Sequence, residues 1–173
     1  DGNVEETEEE PVIVEKLTYA EKEVNILVSP LNGKAVDLST VSDEMFASKT
    51  LGDGIAIVPK DGKLYAPCDA KVVMLFETKH AIGLRTSNGA EILIHIGVNT
   101  VSMEGVGFKA LVKQNDRVKE GDLFIEFDLK KIEEKNLDPT VMVVNSNSTS
   151  YKVLNQSYGD VMTGDVLFDV KRG

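Results

Sequence analysis

The sequence predicts an all-β protein. Three observations carry this. Short runs rich in β-branched residues recur about every 8–12 residues. Gly, Asn, Asp and Pro fill the gaps between them. Helical periodicity is scarce. The runs are residues 24–28, 55–58, 63–66, 72–76, 81–85, 92–96, 123–127, 141–144 and 166–170. Ser29-Pro30-Leu31-Asn32-Gly33 turns the chain after the first, Gly52-Asp53-Gly54 precedes the second, and Asp61-Gly62 precedes the third. Residues 72–76, 81–85 and 92–96 alternate or form the short apolar runs of buried strands. Only residues 41–49 and 129–135 suit a helical turn or two. Asp43 and Asp128 are placed to cap them, since a carboxylate there accepts from the free N–H groups of a first turn.

Two pairs of segments resemble each other. Ser29-Pro-Leu-Asn-Gly-Lys-Ala-Val36 parallels Ala66-Pro-Cys-Asp-Ala-Lys-Val-Val73, and Val118-Lys-Glu-Gly-Asp-Leu-Phe124 parallels Val161-Met-Thr-Gly-Asp-Val-Leu167. The order suggests a duplicated β-unit whose halves interlock rather than follow one another. Pro-containing and Gly-Asp turns also recur by chance in β-proteins.

The chain has 173 residues, a size for one domain with tails. Formal net charge is −10, and residues 1–23 hold nine acidic groups against two lysines. That stretch has few apolar residues and no period, so it reads as an acidic flexible linker in front of a domain spanning residues 24–173. A frayed terminus is the plainer reading of the same composition. No basic patch is evident for phosphate backbones, which argues against nucleic acid. No apolar run approaches the ~20 residues that span a bilayer. The single cysteine, Cys68, forms no internal disulfide and suits a reducing cytoplasm.

The only histidines are His80 and His95, separated by an Asn88-Gly89 turn signal between apolar runs. Pairing Ser87 with Ala90 across a two-residue hairpin sets Ile82 against His95 and His80 against Gly97. In that register both histidines share one face as diagonal neighbours, ~7–8 Å apart at Cβ. An odd loop length places them on opposite faces.

A neutral imidazole is a metal ligand, a general base or a nucleophile toward phosphorus. The sequence has no His-Glu-x-x-His or paired cysteines for a closed metal site. It has no Gly-x-Ser-x-Gly elbow, and Gly52-Asp-Gly54 is too short for a phosphate loop. Phosphoryl transfer through a histidine asks for less: one outward nitrogen, a fixed tautomer, a donor for the phosphoryl oxygens and apolar surroundings. His95 ends the run Ile92-Leu93-Ile94, His80 is available as the donor, and Thr78 lies two residues before His80. On these residues alone, a phosphoryl-transfer pair and two structural histidines stand level.

The residues then decide the matter by resemblance. Gly52-Asp-Gly-Ile-Ala-Ile57, Ala66-Pro67, Phe76-Glu-Thr-Lys-His-Ala-Ile82, Glu91-Ile-Leu-Ile-His-Ile-Gly97, Thr100-Val101, Glu104-Gly-Val-Gly-Phe108 and Gly121-Asp122 resemble the IIA domain of the glucose/sucrose group of the bacterial sugar phosphotransferase system. The likeness runs from about Ile26 to the C-terminus. It implies a β-sandwich of barrel–sandwich hybrid type. It implies that His95 accepts a phosphoryl group on Nε2 from the phosphocarrier protein HPr and passes it to a cysteine of a IIB domain. His80 contacts that phosphoryl group, Thr78 is hydrogen-bonded to His80, and the carbonyl of Gly97 holds the Nδ1 proton of His95. No cofactor, metal or direct sugar contact is implied.

The family surrounds its histidines with an apolar docking ring. The matching positions here are Met45, Phe46, Leu51, Phe76, Leu93 and Val101. Asp43 keeps its acidic character, whereas Asn99 stands where many relatives carry aspartate. The acidic residues 1–23 resemble the linker of fused members, so the domain is expected at the inner face of a membrane, tethered through transporter domains. Two other readings remain: a regulatory module on a sugar–cation symporter, and a biotinyl- or lipoyl-type carrier. The carrier needs a hairpin-tip lysine, usually between methionines, that Val141-Met-Val143 lacks.

Overall fold

A computed structural model describes residues 23–173. The acidic stretch, apart from Glu23, lies outside the described residues. In chain order the strands are β1 (Val24–Val28), β2 (Gly33–Val36), β3 (Asp53–Pro59), β4 (Lys63–Tyr65), β5 (Ala70–Leu75), β6 (Ala81–Thr86), β7 (Glu91–Ile96), β8 (Phe108–Ala110), β9 (Arg117–Val118), β10 (Leu123–Phe127), β11 (Val141–Asn145), β12 (Tyr151–Leu154), β13 (Gly159–Val161) and β14 (Val166–Arg172). The short helices are α1 (Glu44–Ala47) and α2 (Leu129–Glu134). Asp43 accepts from the N–H groups of Met45 and Phe46, and Asp128 from that of Lys131, so both carboxylates cap as the sequence predicts. The first helix is shorter than 41–49 because Val41 is extended and Lys49 turns left-handed at φ 64°.

The strands form a β-sandwich. An eight-stranded antiparallel sheet has the order β13-β2-β3-β11-β7-β6-β5-β9, and two three-stranded sheets have the orders β1-β14-β12 and β4-β10-β8. Alternate residues of the large sheet (Ile55, Ile57, Ile82, Leu84, Ile92, Ile94, Val141, Val143) face inward and join Leu27, Leu64, Phe124 and Phe168 in the main core. The opposite face at mid-sheet is covered too. Ala56, Met142 and Val144 pack there beneath Phe46 and Leu38. Burial on both faces explains why β11 is apolar through four successive positions, Val141 to Val144.

The repeats are real and nested. Val28 donates its N–H to Pro67 O (2.9 Å), and Tyr65 donates to Pro30 O (2.7 Å), a reciprocal clasp between the two proline turns. Each turn is also tied to its own Gly-Asp turn in the same way. Ser29 N–H binds Asp165 O as Ala66 N–H binds Asp122 O, and Gly164 N–H binds Ser29 O as Gly121 N–H binds Ala66 O. Val28↔Val166 and Leu27↔Phe168 match Tyr65↔Leu123 and Leu64↔Ile125, with a bulge at the same step. Strands β4 to β10 therefore form one unit, and β1 to β3 with β11 to β14 form the other. An interlocked arrangement requires β1 to pair with β10, but β1 pairs with β14. The inner unit instead occupies the connection between β3 and β11, where its own equivalent is the β6–β7 turn.

That turn corrects the predicted register. Ala81 lies opposite His95 and Arg85 opposite Glu91, so the loop has three residues, 87–89, rather than two. Asn88 is the cause. It is fully buried, not a solvent-facing turn residue. Its side-chain oxygen accepts from Ala90 N–H (3.3 Å) and from the Thr86 hydroxyl (2.5 Å). Its amide nitrogen donates to the carbonyls of Glu23 and Val170 (3.2 Å each). Its carbonyl accepts from the Tyr151 hydroxyl (2.6 Å) and Arg172 (2.8 Å). Gly89 supplies the left-handed step, φ 88°, that lets three residues close the hairpin. Asn88→Ala strands buried partners on three segments and is expected to cost roughly 2–4 kcal/mol, read as a lower urea midpoint at unchanged slope.

Candidate active site

His95 lies within β7, at the middle of the large sheet. Its neighbours across the ladders are Ala81 on β6 and Met142 on β11. It projects from the outer face, the face that carries Phe46 and Met142 rather than the main core. The small Ala81 side chain leaves room beside the imidazole. His80 precedes β6 and closes the turn after Leu75, in which Lys79 is left-handed at φ 61°. Strict alternation from β6 sends His80 to the core side. His80 lies outside the regular strand, and its ring reaches His95 instead. The centroids are 4.8 Å apart, with the planes 81° from parallel. The pair is thus assembled, though not by the register the sequence suggested.

Each ring has a hydrogen-bond partner at Nδ1. His95 Nδ1 lies 2.8 Å from the Gly97 carbonyl, which only accepts, so the proton sits on Nδ1 and Nε2 is left with its lone pair. His80 Nδ1 lies 2.6 Å from the Thr78 hydroxyl. When that hydroxyl donates, the His80 proton sits on Nε2. Two phenylalanines extend the stack. Phe46 is 5.3 Å from His95, and Phe76 is 5.3 Å from His80 at 71°. The result is a row of four rings, Phe46–His95–His80–Phe76.

This setting decides protonation. Desolvation, with a smaller contribution from the charge of His95, pushes His80 down to about 4. Desolvation also lowers His95, against the Gly97 hydrogen bond and the negative charge of Asp43, which both favour its charged form. Both rings are therefore neutral at pH 7, the form in which a nitrogen lone pair is available.

Gly97 is held by a network that sequence reasoning missed. Its N–H donates to Thr140 O (2.9 Å), and Val98 N–H donates to Asp138 O (2.8 Å). The Thr100 hydroxyl donates to Ile96 O. The Asp138 carboxylate accepts from Thr140 N–H (3.0 Å), the Thr140 hydroxyl (2.6 Å) and the Ser42 hydroxyl (3.0 Å). Burial works against that carboxylate, but these donors hold it below the usual range. Asp138 thus links the segment before α1 to the corner that presents the Gly97 carbonyl. The Asp138-x-Thr140 spacing is an Asx-turn signal, the one trace of this network in the sequence.

The remaining predicted positions divide by exposure. Met45, Phe76 and Val101 are exposed, and Phe76 packs on His80. Phe46 is only 2 % exposed and forms a wall of the site rather than a surface. Leu51 and Leu93 are partly buried against the outer-face cluster. Asp43 spends its carboxylate on capping α1. Asn99 is exposed and left-handed, φ 62°, a conformation asparagine and aspartate both tolerate. Among the described residues, no group of three His, Cys, Asp or Glu side chains is placed to hold a metal ion.

Comparison with known proteins shows the family. The family model described as phosphoenolpyruvate-dependent sugar phosphotransferase system, EIIA 1, matches residues 25–151. Among solved structures, the glucose permease IIA from Mycoplasma capricolum is similar at a TM-score of 0.78 and 36% identity, covering 86% of this chain and 96% of that one. The chain belongs to the EIIA 1 family of the phosphoenolpyruvate-dependent sugar phosphotransferase system, whose members relay phosphoryl groups from HPr toward a IIB domain.

Proposed function

We propose that Nε2 of His95 is the atom that carries the phosphoryl group in this relay. One observation supports this above the rest: Gly97 holds the proton on Nδ1 and leaves Nε2 with its lone pair beside a second imidazole. The lone pair attacks phosphorus as the nitrogen–phosphorus bond of phospho-HPr breaks, and the leaving imidazole keeps the bonding electrons. A cysteine thiolate of IIB later attacks the same phosphorus, and His95 leaves as a neutral ring. His80 donates Nε2–H to a phosphoryl oxygen while the Thr78 hydroxyl donates to its Nδ1.

Charge stabilises the phosphorylated state. Before phosphorylation both rings are neutral, His80 buried and His95 half-buried. Afterwards a phosphoryl dianion sits against His80 and favours its protonated form. The flanking Phe46 and Phe76 limit water beside the nitrogen–phosphorus bond. The exposed apolar side chains Met45, Phe76 and Val101 give HPr and IIB a surface to dock on. We further propose that residues 1–23 tether the domain to membrane transporter domains at the cytoplasmic face. Among the described residues, no helix is long and apolar enough to cross a membrane.

Three outcomes test this reading. Phospho-HPr is expected to place one acid-labile phosphoryl group on the wild-type chain and none on His95→Gln, by intact mass; a phosphorylated variant refutes the assignment. His80→Gln is expected to accept the group but deliver it to IIB about 10²–10³-fold more slowly, because one transition-state donor is lost. The nitrogen-15 titration of His80 is expected to centre near 4 in the free protein and to move upward in the phosphorylated form. A ring held neutral in the fold takes up its proton more readily when unfolded, so stability is complete above pH 6.5 and declines as pH falls toward 4, read as a falling urea midpoint.

A further inference from the structure

The strongest unexplained feature lies on the same outer sheet face, beyond the histidine pair. Arg117 on β9 is directly opposite Lys71 on β5, and Lys71 is directly opposite Arg85 on β6. Three cations thus stand in one row across three neighbouring strands, ~5 Å apart at Cβ, where like charges oppose folding. Arg85 alone has a counter-ion in the row, Glu91 at 2.9 Å on β7. Among the described residues, Lys71, Arg117 and the nearby Lys119 make no ion pair.

The row opens into a cleft of about 560 Å³, lined by Lys71, Arg85, Ser87, Arg117 and Lys119, with Asp69 as the one acid. The Asp69 carboxylate is engaged by Glu120 N–H (2.9 Å). The Ser87 hydroxyl is buried in the cleft wall and has no hydrogen-bond partner. Buried polar groups are normally satisfied, so an orphaned hydroxyl beside concentrated positive charge marks a missing acceptor. All this sits in a protein of net charge −10.

We propose that this cleft binds a small phosphorylated anion. A phosphomonoester dianion offsets the repulsion among Lys71, Arg85 and Arg117, and one of its oxygens accepts from Ser87 once that side chain rotates its buried hydroxyl into the cleft. The cleft is large enough for a hexose-sized body behind the phosphate. Along β6 it lies four residues, about 13 Å, from the position opposite His95, so a ligand there leaves the histidine pair open. The site rests on the sheet register and does not depend on the role given to His95.

The test uses the full chain, labelled with nitrogen-15, at ionic strength held constant with chloride. Inorganic phosphate and a hexose 6-phosphate are titrated in turn. Saturable shifts at the amides of Lys71, Ser87 and Arg117 are expected. Tighter binding of the hexose phosphate assigns a subsite for the sugar, and equal binding assigns the phosphoryl group alone. Lys71→Gln with Arg117→Gln is expected to weaken binding about tenfold or more. The same variant is expected to keep its phosphoryl acceptance and, in phosphate-free buffer, to melt no lower than the parent. Shifts that do not saturate, or an affinity unchanged in the double variant, overturn the proposal. So does a double substitution that moves signals of residues 1–22 while phosphate has no effect, since the acidic stretch is then the occupant.

Discussion

The chemistry proposed for this protein depends on a single carbonyl, that of Gly97. It faces His95 Nδ1 at 2.8 Å, and that contact decides which imidazole nitrogen can react. The carbonyl reaches the ring because the chain turns sharply at the end of β7. Gly97 adopts φ 77°, and a Cβ there meets the Thr100 side chain. The corner is then fixed from two sides, by the Thr140 and Asp138 carbonyls that accept from Gly97 and Val98 N–H. The His95 ring on a strand is thus aimed by a turn, and the turn is aimed by a distant segment. The arrangement places rigidity where a small rotation of the ring misdirects the attacking lone pair.

The second imidazole meets the opposite demand. His80 belongs to a turn, not a strand, and its Nδ1 partner is a hydroxyl that both donates and accepts. Carbonyl and hydroxyl divide the labour between the rings. Gly97 permits one tautomer of His95, while Thr78 serves His80 both as a neutral ring and as a cation. In the proposed role of holding a phosphoryl group and then releasing it, the pair gains from one fixed partner and one adaptable partner.

The all-β class and both helix caps were legible because Gly, Asp and Asn mark their turns plainly. So was the meeting of His80 and His95, though the route to it was wrong. A two-residue Asn-Gly hairpin assumes an exposed asparagine, and Asn88 is instead a buried hub joined to Glu23, Val170, Tyr151 and Arg172. Those partners lie 63 to 84 residues away or at the margin of the domain, where no local pattern reaches. Strands β2, β8, β9, β12 and β13 were not predicted because each spans only two to four residues, too few to display a period. The link from Asp138 to His95 was hidden because it passes through backbone carbonyls, which every residue has. The cationic row was invisible for a related reason. Lys71, Arg85 and Arg117 are far apart in sequence, and only the sheet register aligns them.

The nested duplication has a kinetic consequence. Strands β3 and β11 are adjacent in the sheet but are separated by 81 residues of chain, numbers 60–140, whereas β6 and β7 are separated by four, numbers 87–90. Closing the longer loop from an open chain is costlier in entropy by roughly 3 kcal/mol. That gap disappears once β4 to β10 have assembled, because the inserted unit then holds the two ends close together. The order of assembly is therefore written into the topology: the contiguous unit forms first and acts as the template on which the split one completes itself. Met142 of the split unit flanks His95 of the contiguous one, so in that order of assembly the His95 ring gains this neighbour only when the split unit docks.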